Sequence, residues 1–326
     1  GYLQNTILRD EWGFEGLVVT DWGAANDRVT GMNNGNDLEM PSSNGINDKK
    51  ICDAVRNGTL DEKYVDLAAD RMLTLIKKSE AVLGDYTYDK DAHHELAAEI
   101  CRQSLVLLKN EDNILPLKKE TKIAVIGEMA RAPRYQGAGS SIINPTKLSD
   151  AFDALIRAGM NPLFAPGYNK KKDEVNEIML KDACIVAQRA DAVVLFIGLT
   201  EEFESEGFDR RHLGIPALHT KLVDAVTAVN PNVIVAISGG AVIEMPWADK
   251  VQAILNCYLG GEASGSAAAD ILFGDVNPSG KLAETYPLSL SDNPSFNYFP
   301  GDISTVEYRE SVFVGYRYYD TAKKNV

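Results

Sequence analysis

Positive charge is scarce in this 326-residue chain: 33 Lys and Arg stand against 47 Asp and Glu, a formal charge of −14. An acidic surface repels phosphate backbones, so nucleic acid is not an expected partner, whereas neutral polyols such as sugars approach it freely. No run of about eighteen apolar residues exists, which argues against a membrane-spanning helix. Cysteine and histidine number only four each. Cys52, Cys101, Cys184 and Cys257 lie far apart with no C-x-x-C spacing, so buried free thiols are expected, and reduced thiols fit a cytoplasmic setting. His93 and His94 are neighbours on a helix and diverge by about 100°, so they cannot share a metal at helical spacing. His212 and His219 have no acidic or cysteine partner beside them. All four read as surface or capping residues, and no metal site is expected.

Motifs for other chemistries are incomplete. There is no G-x-S-x-G elbow. GAGSSI (137–142) lacks the third glycine of a dinucleotide fingerprint and does not directly follow a strand, and GDVNPSGKL (274–282) has the wrong glycine spacing and Leu282 where a phosphate loop needs Ser or Thr. No organic cofactor is expected. The opening GYLQNTILRDEWGF has neither a basic start nor a long apolar core, so it does not read as a signal peptide.

What is present has two textures, and the length allows two domains. Leu3, Ile7 and Leu8 have helical spacing, with Gly13 placed to end the helix. GLVVTDW (16–22) and NDLEMP (36–41) read as short buried strands whose last residues point to a rim. Helices are predicted over about 47–57 and 61–83, the second carrying Tyr64, Val65, Ala68, Met72, Leu75 and Ile76 on one face. This order fits the closing units of a βα barrel, over residues 1–83. Two strands cannot close a barrel of eight, so the remaining strands are expected upstream of residue 1 or from another chain. Open strand edges there would favour self-association. GDYTYDKDA (84–92) is turn-rich, and 84–120 reads as a linker and entry helix. From 121 to 288 the apolar runs KIAVIG, NPLFAPG, DAVVLFIGL, NVIVAISGG and VQAILNCYL alternate with helical stretches, the pattern of a doubly wound, mostly parallel α/β domain. Residues 289–326 read as a connector.

Acidic residues stand at two places where such folds do chemistry. Asp21 ends the strand GLVVTDW, and strand C-termini hold the catalytic groups of α/β barrels; the same position suits an Asp bonded to turn amides before Gly23. Trp22 beside it suits stacking on a sugar's apolar face or simple packing. TEEFESEGFDRRHLGIP (200–216) follows the strand DAVVLFIGL, at the end where open sheets bind ligands. Its five acids also suit a solvated loop, and a raised pKa is expected for one of them only in a dry surrounding.

LRDEWGFEGLVVTDWG, NDLEMP, SLVLLKNEDNILPL, GAGSS, ESEGFDR and LFGDVNPSGKLAETYP occur in the order found in glycoside hydrolase family 3, which the whole chain resembles. That resemblance implies a TIM-like barrel followed by an α/β sandwich domain, with the chain holding the barrel's end and the sandwich. It implies Asp21 as nucleophile, Glu206 as acid/base, Trp22 lining the sugar subsite and Ser140 near it. ESEGFDR is most similar to β-glucosidase members, so a β-glucoside or oligosaccharide is the expected substrate, cleaved with retention by two carboxyls about 5–5.5 Å apart. The resemblance leaves a β-xylosidase open as a second substrate class. Family strands with further sugar-binding residues precede residue 1, so the chain is expected to be part of an enzyme. Tyr258 and Leu259 replace the family's aromatic-proline pair. The alternative from another class is a non-catalytic carbohydrate-binding or interaction module, which would have no reason to keep TDW and NDLEMP beside ESEGFDR.

Overall fold

The computed structural model describes residues 1–171 and 174–326. The chain divides into two compact units, Gly1–Thr87 and Tyr88–Val326.

In the first unit Tyr2–Glu11 form a π-helix. GLVVTDW and NDLEMP run parallel but meet in one isolated bridge, Val19 with Leu38, extended by Thr20 N donating to Leu38 O (3.0 Å) and Gly23 N to Met40 O (3.0 Å). Val19 is 49% exposed while Asn36 and Asp37 are buried, so GLVVTDW is not the buried strand expected and NDLEMP is buried only at its start. Each has one strand neighbour within its unit, and an extended segment paired on a single edge keeps much of its surface in water. Helices α1 (Arg28–Asn33), α2 (Ile46–Arg56) and α3 (Glu62–Glu80) follow. Asp27 and Asp61 cap the first and third by accepting hydrogen bonds from backbone amides two or three residues on. Tyr64, Val65 and Ala68 of α3 pack with Met32, Ala54 and Leu60. Leu75 and Ile76, expected on that face, are about half exposed, because this small cluster ends before them.

The second unit opens with α4 (Lys90–Ser104), which starts inside the stretch read as linker. The Asp89 carboxylate accepts from the amides of Asp91 and Ala92, so a turn-rich sequence is in fact a helix cap. The segment after it, also read as linker, is strand β1 (Val106–Asn110). Then come β2 (Ile123–Ile126), α5 (Ala151–Arg157), β3 (Leu163–Ala165), α6 (Glu177–Gln188), β4 (Ala192–Gly198), α7 (Ala217–Thr227), β5 (Val233–Ser238), β6 (Ala253–Tyr258) and α8 (Ser264–Leu272). Among the described residues they form one six-stranded sheet, ordered β1-β6-β5-β4-β2-β3. All neighbours are parallel except β1, which runs antiparallel to β6. Every residue of β2 and β4 is buried, which is why these strands read as unbroken apolar runs. The chain steps outward from β2 to β3 and then back across to β4. That reversal opens a crevice at the C-terminal ends of β2 and β4, the place where open α/β sheets take ligands. Gly127 closes β2 at φ +120°, where a Cβ would fall 2.1 Å from the carbonyl oxygen of Phe196.

One further expectation changes. His219 is not a surface residue: it is fully buried in α7, with Nδ1 3.0 Å from the Gly198 carbonyl oxygen and its ring 4.1 Å from that of Tyr168. Seven-residue spacing from His212 does not reveal that the apolar stripe of α7 (Leu218, Leu222, Val223, Val226) takes in His219 as well. The 289–326 stretch, read as a connector, carries ordered contacts. Glu244 accepts from the Leu290 amide at 2.7 Å, and α9 (Tyr316–Ala322) buries Tyr319. The four cysteines are free thiols, Cys101 and Cys257 buried, Cys184 half-buried and Cys52 exposed.

Candidate active-site carboxylates and their supports

The acidic loop leaves β4 at the crevice and is pinned on both sides of Glu206. A one-turn curl brings the amides of Phe203 and Glu204 to Thr200 O, each at 3.0 Å. Buried Arg134 donates to Leu199 O (3.4 Å) and Glu204 O (2.8 Å) and pairs with the Glu204 carboxylate (3.4 Å). That carboxylate also accepts from the Gly240 amide at 3.0 Å. Beyond Glu206, Arg210 donates to Val242 O at 2.9 Å. Of the five acids, Glu204 is thus a structural brace, while Glu206 is left at the exposed apex beside Gly207 (φ +94°).

GAGSS lies in the loop that follows β2, so the two loops flanking the crevice meet. The amide of Ser140 donates to Glu206 Oε2 at 2.7 Å, and the Ser140 hydroxyl donates to the same oxygen. Gly139 is needed for this approach: at φ +94° it would place a Cβ 2.6 Å from the Cβ of Glu206. The incomplete glycine motif therefore serves a side-chain contact. The Ser140 hydroxyl, and after it the Ser140 amide, hold the Glu206 carboxyl below its ordinary pKa. The carboxyl is in water, so the dry surrounding that would raise its pKa is not present in this unit.

Asp21 and Trp22 belong to the first unit. Asp21 is exposed and its Oδ1 accepts from the Trp22 amide at 2.6 Å, while Ala24 N donates to Asp21 O. The Trp22 side chain is largely exposed, as a stacking platform needs and a core residue does not. The turn is stitched to NDLEMP by Thr20, whose hydroxyl donates to Met40 O (3.2 Å) and accepts from Met40 N (2.8 Å). So the structure brings Ser140 to Glu206 and places Trp22 against Asp21, each pair within one unit. The supports Arg134 and Glu204 were not legible in the sequence. Arg134 stands as a charged residue in the run APRYQGAG, while Glu204 is one of five acids in its loop with nothing local to set it apart. Among the described residues no group of three or more His, Cys, Asp or Glu side chains could hold a metal ion, and no helix is long and apolar enough to cross a membrane.

A family model described as the glycosyl hydrolase family 3 C-terminal domain matches residues 105–316. Thermostable beta-glucosidase B of Acetivibrio thermocellus is 50% identical over 98% of this chain and 43% of its own length. An exo-alpha-(1->6)-L-arabinopyranosidase of Bifidobacterium breve is 45% identical over 100% of the chain and 44% of its own length. Among solved structures, the GH3 beta-glucosidase of Bifidobacterium adolescentis superposes with a TM-score of 0.92 at 46% identity, covering 100% of this chain and 48% of that one. The chain thus spans about half the length of the relatives it matches.

Proposed function

Because the chain belongs to glycoside hydrolase family 3, we propose that it supplies both catalytic carboxylates of a retaining β-glucosidase. Residues 1–83 are then the closing units of the catalytic barrel, and further barrel strands come from the rest of a longer chain or from a second copy. The observation that carries the reading is the exposed carboxyl of Glu206, fixed by Ser140 where two loops meet at the sheet's crevice. A solvated acidic loop would not need its apex carboxyl held by a second loop through a glycine that tolerates no side chain.

In the first step an Asp21 carboxylate oxygen attacks the anomeric carbon while protonated Glu206 gives its proton to the departing oxygen. Glu206, now a carboxylate, takes a proton from water, which attacks the glycosyl ester and restores Asp21. Trp22 offers its face to the apolar side of the sugar ring. These steps require no metal and no organic cofactor. Terminal β-D-glucosides are the leading substrates. The 45% match to an arabinopyranosidase favours a second class, α-L-arabinopyranosides, whose anomeric oxygen is likewise equatorial in the chair that matches β-D-sugars.

The test is hydrolysis of 4-nitrophenyl β-D-glucoside and 4-nitrophenyl α-L-arabinopyranoside by the full-length product of the gene. Asp21→Asn is expected to abolish turnover. Glu206→Gln should lower it by roughly 10²–10⁴-fold; with a 2,4-dinitrophenyl leaving group, which departs unprotonated, kcat/KM should fall much less than kcat, because the second step still lacks its base. A full-length protein inert on glucosides, arabinopyranosides, xylosides and N-acetylglucosaminides would leave the carbohydrate-binding module as the better reading.

A further inference from the structure

The segment that carries Asp21 has little regular structure to hold it, since a single bridge is its only strand pairing within the unit. What fixes it is a buried ionic cluster centred on Asp37 of NDLEMP. The Asp37 side chain is 2% exposed. Its Oδ2 accepts from Arg9 Nη2 at 2.7 Å and from the backbone amide of Val18 at 2.8 Å, while its Oδ1 accepts from Arg71 Nη1 at 2.7 Å. A third arginine, Arg28, donates to Asp37 O at 2.8 Å and to Asn36 O at 3.0 Å. Arg9 also reaches back to Gly16 O at 2.9 Å, where the Asp21 segment begins.

Three arginines from three helices therefore converge on one dipeptide. Through it they hold the segment at Gly16 and Val18, and Thr20 closes the far end on Met40. Side chains of an extended segment alternate in direction, so a slip of one residue at Val18 would turn the Asp21 carboxyl to the opposite side. A long ladder would forbid that slip by itself. Here a side-chain acceptor does so.

We propose that Asp37 is a positioning residue for Asp21, its carboxylate acting through the Val18 amide to set the register and direction of the segment that ends in the nucleophile. The proposal rests on the reading of Asp21 as nucleophile. A purely structural role predicts something different: loss of Asp37 would reduce the amount of folded protein and leave the chemistry of each folded molecule intact.

The experiment uses 2,4-dinitrophenyl 2-deoxy-2-fluoro-β-D-glucoside on the full-length product, comparing wild type with Asp37→Ala, Asp37→Asn and Arg71→Lys. The reagent forms a bond between an Asp21 oxygen and the anomeric carbon as the bond to dinitrophenolate breaks, and the slow second step leaves the ester trapped. Peptide mapping locates the label, and the inactivation rate constant and the reagent's Ki are measured for the folded fraction. Asp37→Ala should lower the rate constant roughly 10- to 100-fold while Ki stays within about threefold, because a nucleophile misplaced by about 1 Å loses rate more than ground-state binding. Asp37→Asn, which keeps an acceptor for Val18 but not the charge between Arg9 and Arg71, should fall between wild type and alanine. An unchanged rate constant in folded Asp37→Ala, with wild type labelled at Asp21, overturns the proposal alone. Should Asp37→Ala not fold, the milder Arg71→Lys decides by the same measure: a lowered rate constant supports the proposal and an unchanged one overturns it. A wild type that takes no label at Asp21 overturns this proposal and the nucleophile assignment together.

Discussion

At the residue scale the Ser140 hydroxyl has a consequence for pH dependence. It is the largest cause of the lowered pKa of Glu206, with the Ser140 amide second. A general acid must be protonated to act, so a lowered pKa brings in the alkaline limb of the kcat/KM profile early. Removing the hydroxyl removes the larger stabilisation of the carboxylate and lets the pKa rise. If Glu206 is the acid proposed above, Ser140→Ala should therefore move the alkaline limb to higher pH. Profiles on 4-nitrophenyl β-D-glucoside check this, and an alkaline limb that stays in place or moves down would count against Glu206 as the acid. In catalysis a sugar hydroxyl that drew Ser140 away would have the same effect as the substitution.

At the scale of elements, β4 and the loop after it depend on α7 through His219. Burial lowers the His219 pKa to about 3, and the contact with Gly198 only partly opposes this. The folded state thus holds a neutral imidazole that the unfolded chain protonates near pH 6.5. Between those two values the unfolded chain binds the extra proton, so stability is full above about pH 6.5 and falls as the pH drops, by about 1.4 kcal/mol per pH unit from this group. His219→Gln should show a stability profile flatter by roughly that slope between about pH 4 and pH 6.5, read from urea midpoints at stepped pH. Parallel profiles would mean that some other group carries the acid sensitivity. His219 also marks where the sequence stopped being readable. The runs that became β2, β4, β5 and β6 are apolar at nearly every position, and nothing but a doubly covered sheet explains such strands. β1 escaped because VLLKN is half-exposed at the edge and carries Lys109, so it lacks that texture. Asp21 could be noticed as an acid at the end of an apolar run, whereas Glu206 stood out from its four acidic neighbours only through the family motif ESEGFDR. Arg134, Glu204 and Asp37 could not be picked out, because their work is done across 19 to 70 residues of sequence and no spacing rule reports such contacts.

On the scale of the whole molecule, the two units have very different means of standing alone. The second contains the large core built on the sheet, from Cys101 to Tyr286. In the first, the buried apolar cluster among the described residues is Met32, Ala54, Leu60 and Ala68, two of them alanines. Burying a large apolar side chain stabilises by about 1.5–3 kcal/mol, while ordering each residue's backbone costs about 1–2 kcal/mol. Four such side chains cannot offset the ordering of 87 residues, and the ionic cluster at Asp37 adds little, since burying charges offsets much of their mutual attraction. Residues 88–326 expressed alone should therefore unfold in one cooperative transition, and residues 1–87 alone should show none. Tryptophan emission separates the cases. Trp247, 1% exposed, sits in the core of the second unit, while Trp12 and Trp22 of the first are 74% and 69% exposed. Piece 88–326 should emit at short wavelength and shift sharply to the red with denaturant. Piece 1–87 should emit like tryptophan in water from the start. A cooperative transition in the shorter piece would show that local hydrogen bonds and the Asp37 cluster supply more stability than its apolar burial, and the positioning role of Asp37 would then be carried by a unit rigid by itself.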